Sequence, residues 1–141
     1  MMSLMRSLLR SRPVSLDGGI ALLRVTTGLL MMWHGVQKLP IDDGFLTMVV
    51  RMGLPYPLLM AWVAVLAEAV GGLLLAAGLI TRVAALTLMG PLAVAIFVYH
   101  RTHEFGHKEL AVLYVLTSIT ILMTGPGGWS ADRWLERRGA P

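Results

Sequence analysis

The sequence predicts an all-α membrane protein: a four-helix transmembrane bundle with a short interfacial helix between the first and second spans. Three observations carry this. Apolar residues make up 56% of the chain and charged residues 14%, against about 25% charged in soluble domains. The mean hydropathy is +0.71. The apolar residues fall in four long blocks with basic residues between them, the pattern of a membrane-integrated chain. The 141 residues fit a single domain, 1–141. The net charge of +4 sits on the flanks of apolar blocks, which points to bilayer surfaces and away from nucleic acid. There is no cysteine, which excludes disulfides, thiolate catalysis and Cys-ligated zinc, haem or iron–sulfur centres.

The four spans run from about residue 18 to 38, 56 to 80, 82 to 100 and 108 to 125. A helix needs roughly 20 residues to cross hydrocarbon, with about 17 as the lower bound, and lipid demands closed backbone hydrogen bonding. Asp17 is placed to cap the first helix. Pro55 and Pro57 mark the entry to the second span, and Gly78 with Thr81–Arg82 predicts a tight hairpin into the third. Pro91 should kink the third span, because it removes a backbone bond in mid-helix. Between spans one and two, Phe45, Leu46, Met48, Val49 and Met52 alternate with Asp42, Asp43 and Arg51 as an amphipathic interfacial helix would. Ser130 or Asp132 can cap a short basic tail helix.

Loop charges set the expected orientation. Arg6, Arg10, Arg12, Arg82, Arg133, Arg137 and Arg138 lie on one side; Lys38, Arg51, Arg101 and Lys108 lie on the other. The excess predicts both termini in the cytoplasm. No small-residue cleavage site follows the first span, so that span reads as an uncleaved anchor.

Two charges fall inside spans, where each costs about 2.5–3.5 kcal/mol on insertion scales. Arg24 shares one helical stripe with Thr27, Met31, His34 and Lys38; Glu68 shares another with Ala61, Ala64, Gly71, Leu75 and Gly78. At 1.5 Å rise per residue, Arg24 lies about 9 Å above the start of span one and His34 about 24 Å, while Glu68 lies about 18 Å up and His100 about 27 Å. That arithmetic favours a Glu68–His34–His100 cluster in the outer half of the bundle. An Arg24–Glu68 pair would have to bridge about 9 Å of depth by helix tilt. A carboxyl–imidazole cluster in low dielectric can exchange a proton with a quinol hydroxyl. The bland reading is a hydrogen-bonded tie between helices, worth about 0.6 kcal/mol in a membrane. Further along, His100, His103, Glu104 and His107 would share one face if the helix continued, but the spacing matches no named zinc signature, and no metal site is expected. The loop reads more simply as polar and interfacial.

The residues resemble the DoxX family of small four-helix bacterial membrane proteins. Glu68-Ala69-Val70-Gly71-Gly72, followed by Gly78 and Thr81-Arg82, is similar to that family's Glu-x-x-Gly-Gly, Gly, Thr-Arg signature. Gly125-Pro126-Gly127 with Ser130 and Asp132 is similar to its Gly-Pro-Gly-x-x-Ser-x-Asp ending. Arg24, Gly35, Lys38 and His100 match further family positions, and the likeness spans about Leu22 to Leu135. His103 and His107 depart from the pattern. The resemblance implies association with quinone-linked oxidoreductase systems. On this basis Glu68, His34 and His100 are the candidate proton-exchanging residues, and Arg24, Lys38 and Glu68 the candidate residues for holding a quinone or quinol. The expected partners are the lipid bilayer, an oxidoreductase subunit and further copies of the chain. The alternative function is a noncatalytic scaffold or assembly subunit. A small-solute carrier is the weakest reading, since the two halves show no inverted repeat.

Overall fold

The computed structural model describes residues 15–139. Arg6, Arg10 and Arg12, used above for orientation, lie outside the described residues. The described chain forms α1 (Leu16–Val36), α2 (Asp43–Arg51), α3 (Pro57–Ala77), α4 (Thr81–Val94) running into a π-helical turn (Ala95–Tyr99), α5 (Phe105–Thr124) and α6 (Ala131–Gly139). Four helices are long and apolar enough to cross a bilayer: Leu16–Val36, Pro57–Ala77, Thr81–Tyr99 and Phe105–Thr124. The protein is an all-α membrane protein. The expected interfacial helix is present as α2, capped by Asp42, whose Oδ1 accepts from the Phe45 N–H at 2.8 Å.

The helix ends follow local chemistry, with two changes of partner. Ser15, in extended backbone, caps α1 by accepting from the Gly18 N–H at 3.0 Å. Asp17, expected in that role, instead accepts from the Gly128 N–H at 2.7 Å and ties α1 to the chain after α5. Ser130 caps α6 through the Arg133 N–H at 3.2 Å. Asp132 is thereby released for a different task, described below. The fourth span starts at Phe105, three residues before the expected start; residues 100–103 are turn and bend and Glu104 is extended. The helix therefore does not continue through the histidines, and the single four-ligand face does not form.

The central contact is between α1 and α3, which run antiparallel with three glycines at the seam. A Cβ on Gly28 would come within 2.6 Å of the Gly72 carbonyl oxygen, and one on Gly72 equally close to the Gly28 carbonyl. A Cβ on Gly35 would collide with the Ala69 backbone. Close approach of this kind is what small residues allow between membrane helices. Gly71 points elsewhere: its nearest neighbour would be the Leu88 side chain at 3.5 Å, an ordinary contact with α4. The Gly71–Gly72 pair thus serves two helix interfaces. The buried core gathers Met31, Leu75, Ala84, Ala85, Leu88, Leu92, Tyr114 and Ile121 from all four spans.

Replacing Gly72 with leucine should separate α1 from α3, at a cost of about 1–3 kcal/mol or more for overpacking. We expect Gly72→Leu to lower the melting temperature and the monodisperse yield in mild detergent. Gly71→Ala should leave both near wild type, since its neighbour is the end of a flexible side chain. Equal loss in both variants would contradict this assignment of the two glycines.

Candidate functional site

The α1–α3 register sets two polar clusters at opposite ends of the bundle. At the end carrying the termini, α3 stops at Gly78 in the left-handed region (φ 70°), where the Leu79 N–H donates back to the Leu74 carbonyl at 3.0 Å. Arg24, only 2% exposed, donates to the Leu75 carbonyl at 2.9 Å, to the Ala76 carbonyl and to the Trp129 carbonyl at 2.7 Å. A guanidinium at a helix C-terminus meets the negative end of the helix dipole and carbonyls with no partner within the helix. Gly78 is doubly required here: a Cβ would lie 2.7 Å from Arg24 Cζ and from Ser130 Cβ.

Asp132 completes this knot by capping α4 from a distant part of the chain. Its carboxylate accepts from the Ile80 N–H at 2.7 Å, the Thr81 N–H at 2.9 Å and the Thr81 hydroxyl at 2.8 Å. Its own N–H donates to the Gly78 carbonyl at 2.8 Å. Burial alone would raise the Asp132 pKa. The hydrogen bonds from Thr81 and Ile80, with the Arg24 charge nearby, outweigh it and hold the carboxyl below the ordinary aspartate value. Gly78, Thr81, Ser130, Asp132 and Arg24, singled out in the sequence as separate motifs, therefore form one structural joint.

The second cluster lies toward the end carrying α2. Glu68, 6% exposed in the middle of α3, forms an ion pair with Lys38 just beyond α1, whose Nζ donates to both carboxylate oxygens. The Lys38 side chain is 28% exposed and reaches back along α1 toward the bundle. The expected imidazoles are close but are not the direct partners. Glu68, Lys38, His34, His100, His107 and Tyr114 line one cavity of about 170 Å³. His34 packs edge-on against Tyr114 at 5.9 Å between ring centroids. His100 Nδ1 is enclosed and has no hydrogen-bond partner among the described residues. Burial, and then the charges of His103, His107 and Lys108, lower the His100 pKa, which favours the neutral imidazole. Arg24 is not brought to this cavity, and the Arg24–Glu68 pair that tilt might have closed does not form.

On its other side the Lys38–Glu68 pair borders a larger, apolar cavity of about 500 Å³ between α2, α3 and α4. The pair thus lines both a histidine-bearing cavity and an apolar one. The rings of His100, His103 and His107 lie 5.2–6.4 Å apart by centroid. No group of three His, Cys, Asp or Glu among the described residues is arranged to hold a metal ion.

Sequence reasoning missed Lys38 as the direct partner of Glu68, although it lies on the same stripe as Arg24 and His34. The signal was available in the spacing of the small residues: pairing Gly28 with Gly72 and Gly35 with Ala69 places Glu68 opposite the last turn of α1. Tyr114 carried no signal, being one aromatic residue in a long apolar run.

The Asp132 joint has a pH signature. A carboxyl with a depressed folded-state pKa adds stability at pH values above its unfolded value, about 3.9. That stability is lost as pH falls through the folded value. We expect Asp132→Asn to lower the melting temperature at neutral pH and to flatten its decline below about pH 4. Parallel melting curves for wild type and variant across the acid limb would contradict the capping role.

The family model described as DoxX matches residues 19–101, which take in Arg24, Lys38, Glu68, Gly78, Thr81 and His100. The Gly125–Asp132 segment lies beyond the match. The chain is 36% identical over 115 residues to "Putative oxidoreductase CatD" of Bacillus subtilis (strain 168), covering 79% of this chain and 82% of that protein. It is 29% identical over 126 residues to "Inner membrane protein YqjF" of Escherichia coli (strain K12), covering 86% and 95%. No solved structure matches the chain significantly. A four-span bundle carrying this glycine seam and polar joint, with these two relatives and a family match over residues 19–101, belongs to the DoxX family of membrane proteins.

Proposed function

We propose that this protein binds the ring of a quinone or quinol at the Lys38–Glu68 pair and handles its protons for an oxidoreductase partner in a bacterial inner membrane, with both termini on the cytoplasmic side. The observation that carries the reading is the position of the pair: a buried carboxylate and an ammonium at the boundary between an apolar cavity and a histidine-lined one. An apolar cavity of about 150 Å³ accepts benzene, so about 170 Å³ beside Glu68 suits a single six-membered ring. The larger cavity falls within the roughly 300–1,000 Å³ usual for ligand sites.

A bound quinol supplies two protons and two electrons, the electrons passing to the partner. The chain's own residues act on the ring oxygens and the protons. Lys38 Nζ donates a hydrogen bond to a ring oxygen. Glu68 accepts a proton while remaining close to the Lys38 charge. The second proton goes to His100, favoured neutral, whose Nδ1 has no hydrogen-bond partner among the described residues, and His34 in the same cavity takes the first on from Glu68. Arg24 supports the reading only indirectly, by fixing the α1–α3 register. The name of CatD supports an oxidoreductase setting, and that of YqjF an inner-membrane one.

Loss of one charge-assisted hydrogen bond is worth about 1.5–3 kcal/mol. Glu68→Gln should therefore weaken binding of a short-chain ubiquinone analogue to the purified protein by about tenfold or more. The variant should remain folded, because glutamine still accepts from Lys38. Undiminished binding in Glu68→Gln would remove the carboxylate from the site. Absence of binding in wild type would overturn the quinone reading and favour a noncatalytic scaffold.

A further inference from the structure

We infer that the apolar cavity beside Glu68 is a lateral entrance from the bilayer that holds the isoprenoid tail of the same ligand, with α2 as its roof. This rests on the quinone reading above and adds the path by which the ligand arrives. The cavity, about 500 Å³, is walled by Met48 of α2 and Met52 just after it, Ala64 and Ala67 of α3, and Gly90 and Val94 of α4. Lys38 and Glu68 stand at its polar end.

Four observations fix the occupant. Gly90 is exposed halfway along a bilayer-spanning helix, so the opening there faces acyl chains and not water. A Cβ at Gly90 would meet nothing within 4 Å, which leaves a gap in the wall of α4 at that depth. Pro91 has no N–H to donate, and α4 passes into the π-helical turn Ala95–Tyr99, so the regular α-helical bonding of the wall is interrupted along the cavity. Lastly, the polar end is an internally neutralised ion pair. With its positive charge already spent on Glu68, the pair offers no free cation to hold a phosphate or fatty-acid carboxylate, whereas a neutral ring with carbonyl or hydroxyl oxygens is met by one donor and one acceptor. A neutral polar head with a long apolar tail is the chemistry of a lipid-phase quinone.

The roof is made of adaptable residues. The helix α2 packs mainly on α3. Met48, Met52 and Tyr99 line both the apolar cavity and an open cleft of about 760 Å³ that carries Asp43 and Arg51 at the surface. Methionine side chains repack at little cost as a chain slides past them.

The test uses the full-length protein in nanodiscs and a benzoquinone bearing a photoreactive group on a ten-carbon tail, with cross-linked residues located by mass spectrometry. We expect saturable labelling of α2 and of the second half of α4, competed by the same quinone without the photoreactive group. Gly90→Leu adds bulk at this gap, its Cβ meets no atom within 4 Å, and leucine is a better helix former than glycine. It should reduce that labelling at least about fivefold, the scale of the steric penalty for one misplaced side chain. Binding of a tail-less dimethoxybenzoquinone should stay at its wild-type value in Gly90→Leu. Tail labelling confined to other helices, or unchanged by Gly90→Leu, would overturn the entrance while leaving Glu68-dependent ring binding intact. Saturable labelling of the cavity by a photoreactive phosphatidylglycerol, with none by the quinone, would assign it to lipid and overturn the proposal. If the tail-less quinone also fails to bind wild type, the ring site falls together with the entrance.

Discussion

A carboxyl group in the middle of a membrane-crossing helix must be answered by a charge, and Glu68 is answered by Lys38. The penalty for an unanswered charge at that depth, about 2.5–3.5 kcal/mol on insertion scales, is large against the total stability of a small domain. Lys38 lies two residues beyond the end of α1, where its flexible stem can run back into the bundle while its backbone stays at the interface. The pair therefore binds the turn after α1 to the centre of α3. It also lines two cavities of opposite character.

One helix contact sets both ends of the molecule. The glycines at 28, 35 and 72 bring the α1 and α3 backbones together in a single register. In that register Lys38 meets Glu68, and Arg24 meets the free carbonyls at the end of α3. The Arg24 end is closed by hydrogen bonds from four chain segments: α1, the α3–α4 turn, the loop before α6 and the start of α6. The opposite end has the cavities, the π-helical continuation of α4 and an amphipathic helix packed mainly on α3. Hydrogen-bonded closure and open cavities are thus divided between the two ends, the division that the proposed ligand binding requires.

Much of the fold was legible in the sequence because lipid removes alternatives. Apolar blocks of this length can only be helices, and Pro57, Gly78 and Asp42 mark their ends by local chemistry that needs no tertiary information. What was not legible depended on long-range choice. Asp17 had the composition of a cap for α1, but Ser15 took that place and Asp17 went to Gly128, 111 residues away. Asp132 was equally good as a local cap and was used instead on the Thr81 turn, 51 residues away. Depth arithmetic put Glu68 near the histidines, and they do share its cavity. It did not find Lys38 because a straight-helix ruler stops at the helix end, whereas a lysine stem doubles back. The distinct roles of Gly71 and Gly72 were hidden for a similar reason: adjacent residues on a helix differ by about 100° in direction, so one pair of glycines faces two neighbours.

The central claim is that Lys38 and Glu68 are energetically one unit. The most direct measurement is a charge-swap cycle read by thermal unfolding in detergent: Lys38→Glu, Glu68→Lys and the double exchange. Each single variant places two like charges together and should unfold well below wild type. The double exchange should recover most of that loss, with a coupling energy near the upper end of the roughly 0.5–3 kcal/mol seen for residues in contact. Additive effects, with the double exchange as unstable as the two single changes together, would show that the two side chains do not depend on each other and would contradict the account.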